Sequence, residues 1–141
     1  MMGDSWTPAP EHDDCQGSIH PKALEGFSFF NRGEYWLAHE ALEAAWLEEQ
    51  GQIRHLYRGI LQIGVAYYHI QHKNYPGAVK VFMRSKRWLN PFPDICRGID
   101  LKRLRNDADS ARLEVLRLGP ERLDEFDLSL LRPLVWDTNE S

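Results

Sequence analysis

The chain has 141 residues, 43% hydrophobic and 27% charged, with a formal net charge of −4; this describes one soluble globular domain with a real core, too short for two. No apolar run approaches the roughly 18 residues of a membrane span, and Cys15 and Cys96 form no metal or redox spacing, so reduced thiols in a cytoplasmic protein are expected. Charge is divided along the chain, −8 over residues 1–50, +3 over 51–79, +6 over 80–105 and −5 beyond, but the modest basic patch carries no recognised motif, which argues against nucleic acid as a partner.

Residues 1–17 read as a flexible acidic leader, unlike a secretory signal or a basic transit peptide. A single helical domain is expected over 18–120, with a tail over 121–141 partly packed on it. Pro21 suits the first turn of a first helix running to about Asn31, with Gly33 just past its end. The second helix spans about Glu34 to Glu49 and breaks at "QGQ", residues 50–52. The third runs from about Ile53 to His72. Asn74 caps a fourth, which Asn90-Pro91 ends, and Asp100 caps a fifth that lasts until Gly119-Pro120. No pair of strands joined by a hairpin turn is evident. The fold class is therefore all-α, a compact bundle of about five antiparallel helices with short loops and an irregular C-terminal tail.

The second helix contains "YWLAHEALEAAW", residues 35–46. Projected at 100° per residue, Tyr35, Trp36, His39, Leu42, Glu43, Trp46 and Leu47 share one stripe, and the alanines lie opposite. Tyr35, Trp36 and Trp46 read first as core side chains. Glu40 falls at the rim, about 100° from His39. A carboxylate set among aromatic side chains needs a partner. The third helix offers His55, Arg58, Gln62 and His69 in one narrow polar stripe, which either faces water or faces His39 and Glu43.

Two arrangements satisfy these groups. In one, Glu43 bonds Arg58 or Gln62, and His39 bonds His69 or a tyrosine, as a metal-free buried network. In the other, His39, Glu43 and His69 form a two-histidine, one-carboxylate set of the kind that holds Zn²⁺ or Fe²⁺, with Mn²⁺ also to be tested. "HEALE" is not the HExxH motif, because its second ligand position is a glutamate. Without a metal, a small molecule could use Arg58, Gln62, Trp46 and Tyr35. Metal-assisted hydrolysis is the least strained enzymatic reading, with Glu40 and Tyr68 as catalytic candidates. The rival is a non-enzymatic interaction module whose basic fourth helix (Lys80, Arg84, Lys86, Arg87) meets a protein partner.

Phe30-Asn31, Gly33, His39, Glu43, Trp46, Gln62, His69, Asn74 and Gly77-Ala78 together resemble the pattern of a small bacterial and archaeal family, domain of unknown function 309. The likeness covers about 60 residues, Phe30 to Phe92. It implies a compact all-α fold, a suspected metal-binding role for the HxxxE motif and no established activity. Arg58 departs from the pattern, because a glutamine is common before the glycine at 59.

Overall fold

The computed structural model describes residues 15–137, so the expectation of a flexible leader falls largely outside the described residues. Among the described residues five long α-helices form the body: α1 (Pro21–Asn31), α2 (Tyr35–Glu48), α3 (Arg54–Gln71), α4 (Tyr75–Leu89) and α5 (Leu101–Leu118). Each packs on the next in chain order. The pairings Lys22 with Glu48, Arg58 with Trp46 and Trp88, and Lys86 with Asp109 show that neighbours run antiparallel. The expected all-α bundle is the fold observed.

Local chemistry sets the boundaries. Pro21 opens α1, and the His20 imidazole accepts a hydrogen bond from the Lys22 amide at 3.0 Å. Gly33 and Gly51, at φ +77° and +76°, turn the chain before α2 and α3 in the left-handed region that favours glycine. The Asn74 side chain accepts from the Gly77 amide and Asp100 accepts from the Arg103 amide, supplying the first turns of α4 and α5 with caps.

The most buried helix is α3. Ten of its 18 residues are buried, and α2 and α4 flank it. Its two glycines lie on the buried side, and at Gly59 the Leu89 side chain of α4 comes so close that an added Cβ would sit 2.6 Å from it. At one end of the core Phe30, Tyr35 and Tyr67 meet at mutual centroid distances of 5.2–5.6 Å, with Phe82 6.1 Å from Tyr67.

Two features correct the sequence reading. Between α4 and α5 lies a small antiparallel hairpin, β1 (Ile95–Cys96) and β2 (Ile99–Asp100), where no strand pair was expected. Arg97 and Gly98 both have positive φ, 51° and 79°, which is the twist of a tight primed turn. Its two-residue strands are too short for alternation to reveal. The second correction concerns the cysteines, which are joined as a Cys15–Cys96 disulfide across 81 residues. The hairpin lies against the chain entering α1: the Arg97 amide donates to the Cys15 carbonyl at 2.7 Å and its guanidinium to the Ser18 carbonyl at 2.8 Å. The expectation of reduced thiols is overturned, and a cytoplasmic setting loses that support.

The tail crosses the body. The Asn31 side chain accepts from the Leu134 amide at 2.7 Å and donates to the Leu134 carbonyl at 3.1 Å. Trp136 packs on Phe27 and bridges to Ile99.

Candidate functional site

The orientation of α2 decides the site. Its buried residues are Tyr35, Ala38, Leu42 and Ala45, an arc turned by about 90° from the aromatic stripe toward the alanines. Small side chains win this face because α2 is wedged between α1 and α3. A Cβ on Gly26 of α1 would lie 2.7 Å from Leu42. The larger side chains are displaced outward, Trp36 to 48% exposure and Leu47 to 70%. His39, Glu43 and Trp46 lie half-buried between these extremes.

The polar stripe of α3 faces the gap between α2 and α4. At one end the Arg58 guanidinium lies between two indoles, 4.6 Å from the Trp46 ring and 4.1 Å from the Trp88 ring. His55 stacks on Trp88 at 4.9 Å, and Arg87 reaches the same ring at 5.1 Å. Arg58 forms no ion pair with Glu43, contrary to one sequence arrangement, and packs instead on the two indoles. Among the described residues Arg58 has no carboxylate partner at all. Burial lowers its affinity for its proton, and Arg87 and Arg54 add to the effect. Burial, followed by the charges of Arg54 and Arg58, pushes the His55 imidazole down to about 4. Next along the stripe, the buried Oε1 of Gln62 has no hydrogen-bond partner among the described residues.

At the other end Trp36 stacks on His39 at 4.6 Å and tilts over Tyr68 at 5.4 Å. Tyr68 is also packed on His72, 4.1 Å away. His69 goes to α4: its Nδ1 accepts from Asn74 Nδ2 at 3.2 Å, and burial, with His72 adding to it, lowers its pKa. The Nδ1 of His39 is buried without a hydrogen-bond partner among the described residues. Among the described residues no three His, Cys, Asp or Glu side chains come together as a set that could hold a metal. Hence the two-histidine, one-carboxylate set is not assembled in this arrangement, and neither is a hydrogen bond to His39 Nδ1.

The remaining candidates separate. Glu40 is exposed on α2. Tyr35 is 4% exposed and packed edge-on against Phe30 and Tyr67, and burial raises its hydroxyl to about 12. It stands about 16 Å along the helix from Trp46, so the two do not share one site. Sequence reasoning passed over Trp88. The signal was present, an aromatic residue beside Arg87 on an amphipathic helix whose antiparallel return brings it level with Arg58.

The arrangement offers a cation packed on two indole rings and, among the described residues, paired with no carboxylate, which suits recognition of an oxyanion. No curated protein matches the chain. Residues 23–81, from α1 to the middle of α4 and so including the HxxxE helix and the whole polar stripe of α3, match the model of the family described as Domain of unknown function (DUF309), the family that the sequence resembles.

Proposed function

We propose that the cleft on α3 between α2 and α4 binds a small molecule bearing a carboxylate or phosphate group, with Arg58 as the anion-recognising residue. The observation that carries this reading is the Arg58 guanidinium held between Trp46 and Trp88 without a carboxylate partner among the described residues. Packing on the indoles restricts the side chain, so less freedom remains to be lost on binding, and Arg54 adds positive potential. Gln62, one turn along α3, contributes a buried amide oxygen that a ligand donor would satisfy. Titration with inorganic phosphate and with citrate, followed by tryptophan emission, should give a saturable response that weakens as salt is raised. Arg58→Gln should weaken binding at least about ten-fold, the loss of one charge-assisted contact. An unchanged response in that variant overturns the assignment.

The metal reading of His39, Glu43 and His69 has one observation in its favour, the unpartnered buried Nδ1 of His39. It requires His69 to leave Asn74 and reach toward α2. Metal-assisted hydrolysis, aided by Glu40 or Tyr68, depends on that rearrangement. Elemental analysis after dialysis against Zn²⁺, Fe²⁺ or Mn²⁺ tests it. A stoichiometric metal lost in His39→Ala supports the reading, and protein that stays metal-free sinks it.

A further inference from the structure

A second cavity lies between α4 and α5, with Ile63 of α3 in its lining, and shares no lining residue with the Arg58, Trp46 and Trp88 cluster. Its volume is about 180 Å³. The floor is apolar and buried, made of Ile63, Phe82, Leu89 and Ala108. The one buried hydroxyl there, Ser85, already donates to the Phe82 carbonyl at 2.7 Å, so the floor makes no further polar demand. The mouth is cationic: Lys86, Arg105 and Arg112 line it against Asp109, with Asp94 pairing Arg105 from outside the lining.

We propose that this cavity binds a small amphipathic anion, an apolar body of about six carbons ending in a carboxylate. Size and polarity set that class. An engineered apolar cavity of about 150 Å³ accepts benzene, so the space here admits a six-carbon ring or chain. The apolar floor gives nothing to inorganic phosphate, which has no hydrocarbon to bury. The mouth in turn prefers an anion to an alcohol of the same length. Lys86 Nζ lies 3.3 Å from Asp109 Oδ1, and Arg112 reaches the same oxygen through Nε at 3.1 Å and Nη2 at 3.0 Å. This leaves two of the three ammonium donors and one guanidinium nitrogen for a ligand carboxylate at the mouth. Arg105 is committed elsewhere, to Asp94 and to the Leu89 and Phe92 carbonyls, and supplies charge rather than a contact.

The test is an amide NMR titration of the full chain with hexanoate, benzoate, hexan-1-ol and phosphate. Hexanoate or benzoate should saturate shifts at residues of α4 and α5 around the cavity, and hexan-1-ol should bind at least about ten-fold more weakly, the loss of one charge-assisted contact. Arg112→Gln should weaken the carboxylate at least five-fold without affecting hexan-1-ol, and Ala108→Phe should abolish both by filling the floor. If Arg112→Gln does not fold, Lys86→Gln makes the same comparison. Arg58→Gln should leave hexanoate binding unchanged, which separates this site from the Arg58 cleft. Equal affinity for hexan-1-ol and hexanoate, saturation by phosphate at these residues, or no saturation by either carboxylate overturns the proposal.

Discussion

Arg58 and Glu43 show how a charged side chain settles when its nearest large neighbours are aromatic. The guanidinium trades a carboxylate for two indole faces, and each cation–π contact contributes about 0.5–1 kcal/mol, more when desolvated. With the packing of its stem added, Arg58→Ala should lower stability by about 1–3 kcal/mol in thermal melts. Glu43 is half-buried and forms no ion pair with Arg58. Glu43→Ala should therefore shift stability by no more than about 0.5 kcal/mol, whereas breaking a buried pair would cost about 3–5 kcal/mol. His55 makes the molecule sensitive to mild acid. In the unfolded chain its ring takes up a proton near 6.5, and in the folded protein only near 4. The unfolded state therefore binds the proton first, and the contribution of His55 is fully present above pH 6.5 and is lost as pH falls toward 4. Urea midpoints across that window should fall less steeply in His55→Gln, and identical slopes would contradict the assignment.

At the scale of helices, close approach decides which faces are buried. Gly26 and Gly59 sit where α1 meets α2 and where α3 meets α4, with Leu42 at 2.7 Å and Leu89 at 2.6 Å from any added Cβ. Both leucines are fully buried, so neither can swing away. Gly26→Ala and Gly59→Ala should each destabilise by about 1–3 kcal/mol through overpacking. Gly64 has the same helical setting, but its added Cβ would meet Phe30 at an ordinary 3.5 Å. Gly64→Ala should be neutral or stabilising by up to about 1 kcal/mol, from helix propensity. Chemical denaturation of the three variants separates the two behaviours. The same crowding explains the rotation of α2. A hydropathy projection ranks tryptophan above alanine for burial, but a helix wedged between two others buries what fits, and Ala38 and Ala45 fit.

For the whole molecule, the disulfide ties the entry to α1 to the hairpin before α5, closing a loop that contains α1 to α4. Removing it with Cys96→Ser should cost about 2–5 kcal/mol, the usual range for a native cross-link. Melts of wild type with and without reductant should reproduce that difference. Sequence by itself determined the helices, because proline, asparagine, aspartate and glycine act on their immediate neighbours: Pro21, Asn74 and Asp100 mark helix starts and Gly33 and Gly51 mark turns in both readings. It also brought out the polar stripe His55–Arg58–Gln62–His69, since helical spacing is local geometry. Only the tertiary structure decided what that stripe meets. Whether Arg58 finds Glu43 or two indoles, whether His69 goes to His39 or Asn74, and whether Cys15 reaches Cys96 depends on how neighbouring helices rotate and how closely they approach. Those quantities are set by the fit of side chains far apart in sequence, such as Leu42 against Gly26 and Leu89 against Gly59, and no local pattern records them.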